Sequence, residues 1–172
     1  MEEIIKIPTE RIGVLIGPEG QTKAKIMRLT KTKIEVDSHE GDVIISGEGE
    51  DFFKGRDIVK AIGRGFSPER AFTLLKENYL LYIINIPEMV GNNTSKLTAK
   101  KGRVIGREGK AREEIEKRTN SLISVYGKTI SIISGTNDLE QAINAVTMLL
   151  EGAKHETMEN FLNNREKSRF EL

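Results

Sequence analysis

Gly13-Val-Leu-Ile-Gly17-Pro-Glu-Gly20-Gln21 and Gly102-Arg-Val-Ile-Gly106-Arg-Glu-Gly109-Lys110 carry one pattern twice, 89 positions apart. Each copy opens on glycine, passes through three residues that are mostly branched and apolar, and closes on Gly-x-x-Gly. The correspondence runs on at the same offset: Ile26 is answered by Ile115, Thr30 by Thr119, Ile34 by Ile123 and Val36 by Val125. A repeat of this length means two copies of one folded unit.

The surroundings say what kind of unit. Ile4 to Ile7 reads as a short strand closed by Pro8, and Gly41 to Gly47 as a strand bounded by glycines. Asp51 to Ile62 carries Phe52, Ile58, Val59 and Ile62 near helical spacing. The second half repeats the order. Tyr79 to Ile86 is its first strand, followed by Pro87; Lys128 to Ser134 is its third; Asp138 to Leu150 is its last helix, with Leu139, Ile143, Val146 and Leu150 on one face. The fold class is α+β, with the order β-α-α-β-β-α twice.

The glycine turn has a physical task. A first helix ends at Gly17 or Gly106, and a second starts near Gly20 or Gly109. Glycine permits positive φ and leaves room for a close approach. The second helix points free amides and a partial positive charge at that spot. A phosphate backbone is the ligand such a turn suits.

This order, with its Ile-Gly-x-x-Gly turn, resembles the type I KH domain, and the resemblance covers nearly the whole chain. It implies two tandem KH domains, each a three-stranded sheet packed against three helices, spanning residues 1–77 and 78–172. Such a domain clamps about four nucleotides of single strand, bases in an apolar groove beside the turn. The longer run from Gly102 to Thr119 is similar to the second KH domain of the small-subunit ribosome-biogenesis family called Partner of Nob in eukaryotes. That likeness implies binding of ribosomal RNA near the 3′ end of the small-subunit precursor, alongside a dimethyladenosine transferase and a processing endonuclease. The chain lacks the long N-terminal extension of eukaryotic members, which points to the archaeal branch.

The two copies differ in charge. From Lys96 to Arg112, seven basic residues oppose one acid, Glu108. From Ile7 to Lys23, Arg11 and Lys23 oppose Glu10 and Glu19. Pro18 removes a donor amide from the first turn, and Glu19 repels phosphate. Phosphate contacts dominate nucleic-acid affinity, so the second unit is expected to carry most of the RNA. The expected RNA-binding residues are Lys101, Gly102, Arg103, Val104, Ile105, Gly106, Arg107, Glu108, Gly109, Lys110, Arg112, Ile123 and Val125. A weaker or protein-docking set is Gly13, Gly17, Pro18, Glu19, Gly20 and Lys23.

Between strand and motif, the second copy is longer by ten residues: Pro8 lies five before Gly13, Pro87 fifteen before Gly102. Gly91-Asn-Asn-Thr-Ser95 reads as a loop within that stretch. Ser67-Pro68 opens a short connecting helix running to about Lys76. The tail from Ala153 to Leu172 is expected to extend the last helix, docking on a partner being the other option.

The net charge is only +1, so affinity must come from a local patch rather than from general polycation character. There is no Cys, hence no disulfide, thiolate metal site or thiol nucleophile. No apolar run reaches bilayer length, and a cytoplasmic protein is expected, with no membrane or DNA partner. Gly106-Arg-Glu-Gly109-Lys110-Ala111 fails the phosphate-loop spacing, since position 104 is Val and 111 is Ala. His39 and His155 stand far apart in sequence. No cofactor, metal or catalysis is expected. Two further readings were an RNA-binding subunit of an RNA-degrading complex and a protein scaffold that has lost RNA.

Overall fold

The computed structural model describes residues 1–171. Two compact units divide the chain, Met1–Leu81 and Tyr82–Leu172.

In the first unit the order is β1 (Glu2–Lys6), α1 (Thr9–Ile16), α2 (Gln21–Thr30), β2 (Lys33–Asp37), β3 (Asp42–Ser46) and α3 (Gly49–Gly63). The strands form one antiparallel sheet in the order β1-β3-β2, with Ile5 opposite Val43 and Ile34 opposite Ile45. Side chains alternate across a strand. Ile5, Val43, Ile45 and Ile34 are therefore buried under the helices, while Ile4 on the other face is largely exposed. Ile12, Leu15, Ile26, Ile58 and Ile62 bring the helical layer onto that face. Each such side chain contributes about 1.5–3 kcal/mol on burial.

After α3 the chain makes α4 (Pro68–Ala71) and one tighter helical turn at Phe72–Leu75. Ser67 Oγ accepts from the Arg70 amide at 3.3 Å, the cap its sequence promised. Phe66, Ala71 and Leu74 are buried, and the segment packs against α3.

The second unit begins within β4 (Tyr79–Asn85), which the boundary divides, and goes on through α5 (Ile86–Val90), α6 (Thr94–Ile105), α7 (Lys110–Thr119), β5 (Leu122–Tyr126), β6 (Thr129–Gly135), α8 (Thr136–Leu150) and α9 (His155–Phe170). Its sheet order, β4-β6-β5, repeats the first. Ile84, Ile86, Val104, Ile115, Ile123, Ile130, Ile132 and Val146 share one core.

The repeated threonine has a structural explanation. Thr30 Oγ1 donates to the Ile26 carbonyl at 2.7 Å and shares a hydrogen bond with Thr32. Thr119 Oγ1 donates to the Ile115 carbonyl at 2.7 Å and shares one with Ser121. A buried hydroxyl in each unit is thus satisfied by the end of its own helix and by the lead into the next strand.

Two expectations are corrected. Thr94 and Ser95 are not loop: α6 starts at Thr94, capped by the Asn93 side chain, which accepts from the Lys96 amide at 3.1 Å. The ten extra residues therefore become α5 and a longer helix before the turn, twelve residues against eight in α1. Nor does the tail extend α8. Gly152, at φ +99, closes that helix, its amide reaching Leu149 and that of Ala153 reaching Met148. This paired closure is a standard helix stop. α9 then folds back onto its own unit, with Met158 and Leu162 fully buried. Leu172 lies outside the described residues.

Candidate nucleic-acid interface

The two glycine turns have one backbone geometry. Gly17 and Gly106 adopt φ/ψ of 73/177° and 74/176°. Glu19 and Glu108 sit at 53/26° and 56/26°, and Gly20 and Gly109 at 75/11° and 75/8°. In each unit the third turn residue breaks the helical path and the next helix restarts at once. Gly109 donates to the Gly106 carbonyl at 3.2 Å, and Lys110 donates to Arg107. Gly20 and Gln21 do the same with Gly17 and Pro18.

The glycines within a turn serve different ends. A Cβ on Gly106 would stand 2.6 Å from the Ala111 Cβ and 2.8 Å from its amide nitrogen. A Cβ on Gly17 would stand 2.2 Å from Thr22 Oγ1. At Gly20 and Gly109 nothing lies within 4 Å of the added carbon. The first glycine admits the protein's own next helix, and the second leaves its surface open to an approaching ligand.

The basic run does not form one face. Lys101 reaches across from α6 to the β5–β6 turn, its Nζ donating to the Gly127 carbonyl at 3.0 Å. Arg103 goes the other way: its Nε donates to the Leu149 carbonyl at 3.1 Å and its terminal nitrogen to that of Ala153. Arg103 thus ties α6 to the last turn of α8 and to the residue just beyond its glycine stop. Arg107 and Lys110 stand exposed at the turn, with Glu108 3.9 Å from Lys110. Gly102 is exposed, Ile105, Gly106 and Gly109 are half-buried, and Val104 is in the core. Ile123 is also in the core, so its side chain does not line a groove, while Val125 packs half-buried at the core's edge.

Glu116, on α7, was not singled out from sequence. Its Oε2 accepts from the Ile123 amide at 3.0 Å and its Oε1 lies 3.6 Å from Arg112 Nε. Ile123 therefore turns its amide away from β6 toward α7. Amide directions alternate along a strand, so Val125 also directs its amide out of this sheet edge. Glu116 thus ties Arg112 to the start of β5, while Lys101 ties α6 to the turn that follows it. The clue in the sequence was a break in the repeat, since Met27 stands at the position matching Glu116.

On the first unit Gly13, Pro18 and Glu19 are exposed, Gly17, Gly20 and Lys23 half-buried. Pro18 stands where the second turn has Arg107, and the next residue is glutamate in both, Glu19 and Glu108, on an otherwise equal backbone.

On the opposite side of α7 lies α9. Arg118 binds Glu166 at 3.1 Å and reaches Asn163 as well. The hydrogen bond from Arg118 holds the Glu166 carboxyl below its usual range and raises the guanidinium further above its own. His155 Nε2 donates to the Arg103 carbonyl at 2.9 Å. A cleft of about 700 Å³ between the turn and α9 is lined by Arg107, Lys110 and Lys117 against Glu113, Glu114 and Glu159, with His155 beside them, a balanced mixture of charges. Among the described residues no group of three His, Cys, Asp or Glu side chains could hold a metal ion, and no helix is long and apolar enough to cross a membrane.

Residues 80–167 match the eukaryotic-type (type I) KH domain in its PNO1 second-domain form, and residues 2–61 match the KH domain. The chain belongs to the PNO1-type KH family. A KH domain-containing protein of Methanocaldococcus jannaschii is 42% identical over 179 residues, covering 99% of this chain and 78% of that protein. The pre-rRNA-processing protein PNO1 of Debaryomyces hansenii is 30% identical over 101 residues, covering 58% of this chain and 40% of that protein. Dim2p from Pyrococcus horikoshii OT3 superposes with a TM-score of 0.88 at 45% identity, covering 95% of this chain and 99% of that one. In a complex of a/eIF2alpha, aDim2p and rRNA from the same organism, the similar chain gives a TM-score of 0.91 at 44% identity, covering 98% of this chain and 95% of that one. This PNO1-type KH protein thus resembles archaeal Dim2p along nearly its whole length.

Proposed function

We propose that this PNO1-type KH protein is an rRNA-binding processing factor. In this reading it is a non-catalytic assembly factor of the small ribosomal subunit, working in the cytoplasm. It binds single-stranded rRNA near the 3′ end of the precursor, mainly through its second turn. The observation that carries the reading is the pairing of one turn geometry with two chemistries. Gly109 and Lys110 spend their amides inside the second turn, which leaves those of Arg107 and Glu108 for a phosphate. The Arg107 and Lys110 side chains stand at the same point. In the first turn position 18 is proline, without an amide, and no cation replaces Arg107.

The family supports the RNA assignment, because one solved archaeal relative is in complex with rRNA. The same complex contains a/eIF2alpha, and an initiation-factor subunit is accordingly a candidate partner. The dimethyladenosine transferase and the processing endonuclease are the others. Arg103 leaves the set of direct contacts in this reading and becomes a support, since its guanidinium is occupied by carbonyls. The test is ultraviolet crosslinking of the protein in cell extract, followed by sequencing of the attached RNA. Reads should concentrate at the 3′ region of the small-subunit precursor. Reads spread evenly over cellular RNA would end the assignment.

A further inference from the structure

We propose that the outer face of the first unit's sheet is a docking site for a basic segment of a partner protein, one that presents an aliphatic side chain between lysines or arginines.

Strand pairing fixes which residues share that face. Residues directly opposite one another on neighbouring strands point to the same side. Ile44 stands between Ile4 and Glu35, Asp42 between Lys6 and Asp37, and Ser46 between Glu2 and Lys33. The helices cover the other side of this sheet, where Ile5, Ile34, Val43 and Ile45 are buried. On the outer side Ile4 is 64% exposed and Ile44 is half-buried. The two isoleucines line a groove of about 260 Å³ together with Val36, Glu35, Asp37 and Asp42. An apolar strip left open on a folded sheet is a surface that another chain can cover.

The second unit shows what the same face looks like when it is covered. Leu122, Ser124, Tyr126, Thr129, Ser131 and Ile133 hold the matching positions, and none is charged. Ser131 and Ile133 there are fully buried. The fold therefore accepts a neutral, covered face at this place. The first unit has an open one with a surplus of negative charge.

That surplus selects the occupant. Glu35, Asp37 and Asp42 border the isoleucines, Glu2 lies in the next row, and Glu40 stands 4.0 Å from Lys6. Lys6 and Lys33 are the bases of the face, and both are engaged, Lys6 with Asp42 at 3.3 Å and Lys33 with Glu35 at 2.6 Å. Asp37 is bonded by the Glu40 and His39 amides, which hold its carboxyl below its usual range. Asp37 and Asp42 are directly opposite, an arrangement that weakens a sheet and that an incoming cation relieves. Carboxylates repel the phosphates of RNA, and they repel a second copy of the same face. A cationic protein segment meets both needs. Its ammonium or guanidinium groups pair with the acids, and its aliphatic side chain covers Ile4 and Ile44.

The test is a titration of the full chain at physiological salt, followed by amide nuclear magnetic resonance. The probe is a short peptide of lysines and arginines around one central isoleucine. Signals of Ile4, Glu35, Asp42 and Ile44 should move together on one saturable curve. Ile4→Ser removes exposed apolar surface, and Asp42→Asn removes charge while relieving Asp37. Both variants should melt as wild type does. Each should weaken the peptide by about threefold, and the pair together by about tenfold. A peptide with serine in place of its isoleucine should bind wild type about threefold more weakly. RNA affinity should stay within about twofold in both variants, because neither residue belongs to a glycine turn. Variants that hold the peptide as wild type does would overturn the proposal. So would shifts scattered over acidic residues of the whole chain, or equal binding of the serine peptide. A loss of RNA affinity in Ile4→Ser would assign the face to RNA and overturn it too. Analytical ultracentrifugation covers the remaining occupant: a wild-type dimer that Ile4→Ser dissociates would give the face to a second copy of this chain, against the proposal.

Discussion

Gly106 and Gly109 are three residues apart and sit in one turn, yet a methyl group means different things at each. At Gly106 it meets the backbone of the protein's own helix, at a φ/ψ of 74/176° that side chains rarely adopt. At Gly109 it meets open space, and only the positive φ of 75° opposes it. Gly106→Ala should therefore destabilise the second unit by roughly 3 kcal/mol or more, combining strain with a clash. Gly109→Ala should cost about 1 kcal/mol. Chemical denaturation of the two variants checks the order, and equal losses would contradict it. Aspartate at Gly106 is thus a poor probe of ligand binding, because unfolding and lost affinity would arrive together. Substituting the variable pair between the glycines avoids this. The residue scale also marks a limit of sequence reading. Arg103 and Lys101 are two positions apart in a basic run, but lie on different sides of α6 and bind carbonyls of different elements. A summed charge has no direction, whereas a helix turns about 100° per residue.

At the scale of elements, the paired strands, the helix on each side of the turn and the buried threonines were legible, because both copies must keep them to fold. Ile26 and Ile115, Thr30 and Thr119 hold equal places. Features that occur once were harder to see. α9 has no counterpart in the first unit, and its buried face is Met158 and Leu162, with Phe161 half-buried beside them, in a segment rich in charge. Gly152 was the available stop signal, and Asn93 the available start signal for α6. Because those two α9 side chains are fully buried, Leu162→Ala should cost about 2–4 kcal/mol in the stability of the second unit. The Arg118–Glu166 pair adds a pH dependence to the same helix. The Glu166 carboxyl is held below its usual range by Arg118, so its contribution is present at neutral pH. It is lost as pH falls through that lowered value. Acidification should loosen α9 from α7, seen as shifts of α9 amide signals by nuclear magnetic resonance. Glu166→Gln should show the loosened signals already at neutral pH and lose this part of the titration.

For the whole molecule, a repeat has kept one backbone in two places and changed the chemistry at one of them. Net charge of +1 leaves little general attraction to RNA. About three or four phosphate contacts on a single strand then predict a log–log salt slope of roughly −2 to −3. A steeper slope would mean that more of the surface is engaged than the second turn and its groove. The central claim is that the second turn holds the RNA phosphates and the first does not. The most direct measurement is RNA affinity in two matched variants, Arg107→Asp and Pro18→Asp, which place the same carboxylate at equivalent points of turns with the same backbone. Both should melt as wild type does. The account predicts a loss of at least about tenfold, roughly 1.4 kcal/mol, for Arg107→Asp, and less than about twofold for Pro18→Asp, where neither a cation nor a backbone amide is available to a phosphate in the native turn. Equal losses in the two variants would contradict it and make both turns one clamp.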